Sequence, residues 1–376
     1  MATAPTGKIV SVLGPISPAE LGVCLPHEHL VCALDQALDW PRTDARAWAF
    51  ADEPVTAANL ERVRSDPLGN RANLRLDDLD EMVAELALFA AAGGRAVVDQ
   101  TPDELGRDRA ALARLSRATG LHLVAGCGHY VADLVSPRTA AATVDELAAE
   151  LLADLSPDTA RGGPPCGLIG EIGVSSQDIA PVELRVLRAV ARAQRATGAP
   201  VSLHSVAPGH RGLEALLVLK EHGVDPGRVA VCHLDSALDA DGDGRPDAGD
   251  AVGSGIDLDY CREIAREGAF VELDGFGWPA PRAPRAVRAG ADLSRADHER
   301  VAAVAALCAD GLAGSVLVSH DIAMKIRLVA HGGCGYAHLG STLPAHFARR
   351  GVDAASLRRL MVDNPARWLA WSAPCS

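Results

Sequence analysis

Val23-Cys24-Leu25-Pro26-His27-Glu28-His29-Leu30 is a short apolar run that ends in ionisable residues, and runs of this kind recur along the chain. Each is followed by a stretch with helical periodicity, an alternation that marks parallel βα units. The strand candidates are Val23 to His29, Arg95 to Asp99, His122 to Gly128, Gly167 to Ile172, Pro200 to His204, Val229 to His233, Ala269 to Asp274 and Ser315 to Asp321. Helical patterns cover Asp77 to Ala92, Arg107 to Thr119, Val144 to Leu155, Pro181 to Thr197, Gly212 to His222, Asp259 to Glu267 and Ala296 to Asp310. Eight such units predict an α/β fold of the (β/α)8 TIM-barrel type, with a doubly wound open sheet as the alternative, because counting strands does not show closure. Residues 1–376 then read as a single barrel domain with an N-terminal extension over 1–20. Two long segments follow strand ends, a polar stretch over 35–74 and a Gly/Asp-rich insertion over 236–255. In a barrel both lie on the face where loops build the active site, as substrate walls or lids, or else as tolerated surface insertions.

The 376 residues, 48% of them hydrophobic, suffice for a large core. A formal charge of -13 argues against nucleic acid and anionic membrane surfaces, which require clustered Lys and Arg. A small-molecule substrate is the expected partner. No secretory leader and no run near the length of a membrane span is recognisable, so the expected location is cytoplasmic. The nine cysteines include no C-x-x-C pair, and several sit in apolar runs, as buried fillers do. Only three lysines occur, Lys8, Lys220 and Lys325.

Polar residues accumulate where the apolar runs end: His27 and His29, then Asp99, Glu171, His204, His233 with Asp235, Asp274 and Asp321. A barrel gathers such positions around one mouth. Residues two apart on a strand share a face, so His27 and His29 can both present imidazole nitrogens to one cation while Glu28 points away. Alone, an H-x-H pair is more commonly a pair of core or surface histidines, and the remaining strand ends change that balance. His204 and His233 end strongly apolar strands, where an unpaired ring is costly, and metal coordination removes that cost. Asp321 also ends an apolar strand, although a helix-capping aspartate is the local alternative. Four histidines and Asp321 suffice for two divalent metal ions if an anion bridges them, and Glu171 is the best-placed candidate. A metal-bridging hydroxide is the nucleophile such sites generate near neutral pH, and Asp321 can orient it and shuttle its proton to the leaving group.

The chain resembles the phosphotriesterase-related family of the amidohydrolase superfamily over nearly its whole length. The resemblance rests on segments in the family's order: Leu21-Gly22, His27-Glu28-His29-Leu30, Val97-Val98-Asp99, Gly106-Arg107-Asp108, Gly126-Cys127-Gly128-His129-Tyr130, Gly167-Leu168-Ile169-Gly170-Glu171-Ile172-Gly173, His204, His233-Leu234-Asp235, Leu317-Val318-Ser319-His320-Asp321, Gly332-Gly333-Cys334-Gly335-Tyr336 and Asp363-Asn364-Pro365-Ala366-Arg367. It implies a barrel with a binuclear centre, usually zinc, with manganese or cobalt as substitutes. It implies that His27, His29 and Asp321 hold the more buried ion, and His204 and His233 the more exposed one. Many members bridge the ions with a carboxylated lysine at the slot of Gly170, which this chain lacks. A glutamate-bridged subset carries G-E-I-G, and Glu171 fits it provided the strand register shifts by one. The implied activity is hydrolysis, first of a lactone or ester, alternatively of a phosphotriester or N-acyl amide. A weakly active metal-containing ligand-binding protein is the alternative of another class. Family members are often homodimers.

Further residues are candidates for contacting substrate, Tyr130, Lys325, Arg327 and Trp278 foremost. Tyr130 can hydrogen-bond the hydroxide or a substrate oxygen, or pack as a rim aromatic. Lys325 and Arg327 can hold an anionic tail, or begin an exposed helix. Trp278, with Phe276, can line an apolar pocket. His320 reads as structural, and Asn364-Pro365 as a helix-starting turn. Separately, Asp239, Asp241, Asp243, Asp247 and Asp250 follow calcium-loop spacing with Gly244 close by, or form a solvated acidic turn.

Overall fold

In the computed structural model, which describes residues 5–37, 49–157, 163–175, 178–205, 211–236, 256–278 and 296–375, all eight apolar runs are strands. They are Val23–Glu28 (β1), Gly94–Asp99 (β2), His122–Cys127 (β3), Leu168–Val174 (β4), Val201–Ser205 (β5), Val229–Val231 (β6), Phe270–Leu273 (β7) and Val316–Val318 (β8). Every ladder between sequential strands is parallel. The edge strands meet as well: Asp321 N–H donates to the His27 carbonyl at 3.2 Å and His29 N–H to the Ile322 carbonyl at 3.3 Å. The sheet is therefore a barrel, not the open doubly wound alternative.

The helices return the chain between strands: Leu79–Ala91 (α1), Arg109–Thr119 (α2), Val144–Leu155 (α3), Pro181–Thr197 (α4), Arg211–Glu221 (α5), Leu258–Arg266 (α6) and Asp297–Ala309 (α7). Their starts follow local chemistry. Asp78 and Asp108 accept from first-turn N–H groups, and Thr143 with Glu146 forms a reciprocal capping box. A last helix, Asn364–Leu369, is tied to the barrel where the Asn364 amide donates to the carbonyls of Ala313 and Val316.

Two packed layers follow from the period-two alternation of the strands. Cys24, Ala96, Val98, Val124, Leu168, Ala230, Phe270 and Leu317 form one buried cluster with Ile9, Leu21 and Trp368, filling the barrel and plugging its N-terminal end. Leu25, Val97, Leu123, Ile169, Leu203, Val231, Val271 and Val318 belong to the other cluster, against helix residues such as Leu86, Leu112, Leu151 and Leu187.

The alternation slips at two places, and both position the site. Leu25 pairs with Val97 but Glu28 with Asp99, so β1 advances three residues against two on β2. Ile169 pairs with Val201 but Ile172 with Leu203, which puts one extra residue in β4. One extra residue reverses which face the following side chains take. Without these bulges His27 would share the helix-facing side of Leu25, and Glu171 that of Ile169. The shift that a bridging Glu171 requires is present.

The segment after β1 is folded onto the segment after β8. Phe50, Val63 and Leu74 cluster with Met324 and Ile326, with half-buried Trp278 against them. Asn73 accepts from Ile326 N–H at 2.9 Å, and Arg64 donates to the Gly332 carbonyl. Of the 35–74 stretch, residues 38–48 lie outside the described residues. So does nearly all of the 236–255 insertion, including the calcium-loop candidates Asp239 to Asp250.

Candidate metal centre

Six side chains from five strand ends converge at the C-terminal mouth. His27 and His29 come from β1 and its end, Glu171 from β4, His204 from β5, and His233 and Asp321 from just beyond β6 and β8. β6 and β8 end before the apolar runs do, and beyond them His233 and Asp321 take left-handed backbone conformations, with φ of 61° and 53°. Such values are costly for non-glycine residues and persist where surroundings hold them. Asp274 accepts from the His233 N–H at 3.1 Å, and the His27 carbonyl from the Asp321 N–H.

The six groups divide into two sets with Glu171 between them. Asp321 Oδ1 lies 3.2 Å from His29 Nε2 and 3.8 Å from His27 Nε2. On the other side, His204 Nδ1 lies 2.9 Å from His233 Nε2. Glu171 Oε2 is 2.5 Å from His204 Nδ1 and 3.3 Å from His233 Nε2, whereas Oε1 is 3.6 Å from His29 Nε2. Ligand atoms of His27, His29 and Asp321 all lie within 4.8 Å of one another, as do those of His27, Glu171 and His233.

This donor set fits metal ions. His27 is fully buried, and neither of its ring nitrogens has a hydrogen-bond partner. Two opposed ring nitrogens with a carboxylate oxygen between them are likewise a poor end state for uncharged imidazoles, but an ordinary one for ligands.

The electrostatics without a cation describe a proton-loaded cluster. Burial lowers the His27 pKa, but Cys232, Asp274 and Glu272 outweigh it and lift it well above the ordinary value. His233 is raised in the same way, against burial, by Asp274, Glu171 and Asp321. Burial raises Glu171, yet His204, His233 and His27 hold it well below the usual carboxylate range. His204 is lowered by burial, with Glu171 opposing.

Asp274 follows directly on β7, and although its position at the end of an apolar run was legible its role was not. It hydrogen-bonds His233 Nδ1 at 2.9 Å and lies 3.1 Å from His27 Nδ1 as an ion-pair neighbour outside hydrogen-bond geometry. At His233 a carboxylate on Nδ1 fixes the tautomer and turns Nε2 toward the site. The Thr101 hydroxyl, 2.9 Å from His29 Nδ1, orients the His29 ring. Beneath His27 lie Cys232 and Glu272, 3.0 Å apart, inward-facing residues of apolar-looking runs that no sequence signal marked.

The four substrate-contact candidates fall in two places. The Tyr130 hydroxyl lies 3.2 Å from His204 Nε2, at the metal cluster. Burial, with Glu171 and Asp321, pushes its pKa well up, so it stays a phenol at neutral pH. Trp278 and Arg327 lie together at the carbonyl of His320, one residue before Asp321, the guanidinium 4.2 Å over the indole ring. Arg327 does not begin an exposed helix: it is 3% exposed and donates to the carbonyls of Phe276 and His320. Lys325 is half-buried on the same turn. His320 is structural, facing Glu28.

Comparisons with known proteins agree with this geometry. The phosphotriesterase family model matches residues 7–243 and 250–369. The N-acetyltaurine hydrolase of Homo sapiens is 30% identical over 368 residues, covering 97% of this chain and 99% of that protein. The crystal structure of a resiniferatoxin-binding protein from Rhodobacter sphaeroides superposes with a TM-score of 0.84 at 33% identity, covering 98% of this chain and 97% of its own. A lactonase from Listeria monocytogenes shares the fold, with a TM-score of 0.71 at 23% identity over 97% of this chain and 99% of its own. A barrel with histidines and carboxylates converging at its mouth, matched end to end by this family, identifies the chain as a member of the phosphotriesterase family and a metal-dependent hydrolase.

Proposed function

We propose that the protein hydrolyses N-acyl amides at a binuclear zinc-type centre, with His27, His29 and Asp321 holding one ion, His204 and His233 the other, and Glu171 bridging them. The observation that carries the centre is Glu171, which lies between both histidine sets, Oε2 near His204, His233 and His27 and Oε1 near His29, while His27 makes no hydrogen bond through either nitrogen in the interior. Mixed nitrogen and oxygen donors suit zinc, and manganese or cobalt can substitute. The amide preference is supported by the N-acetyltaurine hydrolase relative, similar over its full length. The lactonase likeness, at 23% identity, speaks for the fold alone.

When bound, the cations would polarise the scissile carbonyl and lower the pKa of water toward neutrality. Asp321, whose side chain is 16% exposed where the neighbouring ligands are nearly sealed, accepts the proton of the attacking water. The water oxygen bonds to the acyl carbon, the C–N bond breaks, and Asp321 delivers the proton to the departing nitrogen. The products are a carboxylic acid and an amine. Tyr130, held as a phenol, donates a hydrogen bond to the acyl oxygen as negative charge develops there.

A panel of N-acyl amides, lactones, phosphorylated sugar lactones and an aryl phosphotriester, run with zinc, manganese and cobalt forms, tests this reading. The expected outcome is fastest turnover of an N-acyl amide. Turnover of lactones without any amide would remove the proposed substrate class, and active protein without transition metal would remove the centre.

A further inference from the structure

Four arginines are deeply buried among the described residues, and three of them are paired. Arg107 meets Asp103 and Asp154, Arg109 meets Asp154, and Arg300 meets Asp235 and Asp297. Arg327 is the exception. It forms no ion pair among the described residues, and its Nε and Nη1 are buried without a hydrogen-bond partner. Its remaining nitrogen, Nη2, donates to the carbonyls of Phe276 at 2.9 Å and His320 at 3.2 Å.

The location links this unpaired cation to the reaction. The His320 carbonyl leads directly into Asp321, and it also accepts from Trp278 Nε1 at 3.0 Å, so indole and guanidinium are clamped together beside the proposed proton acceptor. Burial lowers the Arg327 pKa to about 10, with Asp321 the anion that most opposes the shift, so the group is still charged at neutral pH. Lys325, two residues earlier, also forms no ion pair among the described residues. A buried cation with unused donors is costly unless a counter-ion arrives from outside.

We infer that Arg327, with Lys325 beside it, is the counter-charge for an anionic tail, a sulfonate or carboxylate, on the amine half of the substrate. This rests on the amide-hydrolase reading and adds a residue to it. An anion bound there fixes the amine half next to Asp321, where the proton is delivered to the departing nitrogen. A neutral amide of the same size would leave Arg327 as unpaired as it is now.

The test uses the metal-loaded full chain and two N-acetyl amides of matched size, N-acetyltaurine and its neutral methyl sulfone analogue. The wild-type protein is expected to favour the anion in kcat/KM by about tenfold or more, the scale of a charge-assisted hydrogen bond. In R327M that ratio collapses toward one through a raised KM for the anion, and R327K keeps part of it. Equal handling of the two amides by the wild-type protein, or an unchanged ratio in R327M, would overturn the inference. Equilibrium binding of both compounds to wild-type and R327M protein reads the same contact when neither amide is cleaved. There, weakening confined to the anion supports the tail contact, and equal binding overturns it, whereas absent turnover counts against the amide-hydrolase reading alone.

Discussion

The stretches His27-Glu28-His29 and Ser319-His320-Asp321 each feed two neighbouring polar clusters, and the clusters are neutralised in opposite ways. Glu28 accepts from Ser319 Oγ, from the N–H and Nδ1 of His320, and from Ile322 N–H, all at 2.8 to 2.9 Å. Its lone pairs are spent joining β8 to β1. On the other face His27 makes no hydrogen bond through either ring nitrogen, although it is as deeply buried. An unsatisfied buried polar group costs about 1–3 kcal/mol. A cluster that closes its own hydrogen bonds is part of the scaffold, and one that leaves them open is built for something added.

The comparison breaks if the two clusters respond alike to substitution. The largest difference is expected at Asp321, where Asp321→Asn keeps the shape but not the basicity. Turnover should fall on the order of 1,000-fold while the protein retains most of its metal, since proton transfer by a positioned group contributes about 100- to 10,000-fold. Steady-state assay beside elemental analysis of the same sample measures both. Unchanged turnover would take the proton-transfer role away from Asp321.

Glu28→Gln probes the other cluster. The amide puts a donor where four donors already meet, and stability should drop by about 3 kcal/mol in urea denaturation. Metal content per chain should not change. Loss of metal in step with stability would mean that both clusters work as one unit, and the distinction drawn between them would fail.

How much of this was legible in the sequence follows from where each cause resides. The strands, the outward turn of Glu28 and the six converging side chains come from local features: apolar runs, period-two alternation, and polar residues at run ends. The bulges do not. An extra residue in β1 or β4 is defined against the partner strand, so Leu25 and His27 look equivalent in the sequence although they face opposite layers. Gly170 leaves a trace, because a Cβ there would lie 2.6 Å from Ser202, but the trace is readable only once β5 is in place. The exposed-helix alternative for Arg327 fails for a related reason. Its burial comes from Trp278 and from the insertion after β1, both remote in sequence, whereas its own neighbours read as an exposed turn.

The smallest effect, and the one that sharpens the comparison most directly, is the competition between protons and metal. In the cation-free cluster His27 and His233 are held protonated above their ordinary value of 6.5, because neighbouring carboxylates, and the Cys232 thiol for His27, outweigh burial. The sign is that of a raised pKa. This pairing stabilises the folded chain fully below the unfolded histidine value and is lost as pH rises through the elevated folded values. Metal needs the neutral rings, so it gains where the protons are lost. Apparent metal affinity should therefore fall by about tenfold per pH unit for each displaced proton as pH drops below the elevated values. Titration calorimetry in buffers of different ionisation enthalpy counts the protons released at each pH. The Glu28 cluster binds nothing and should contribute no proton to that count, so Glu28→Gln should leave it unaltered. Release that changes in Glu28→Gln, or metal uptake without proton release, would show that the open cluster is not the proton-loaded site described here.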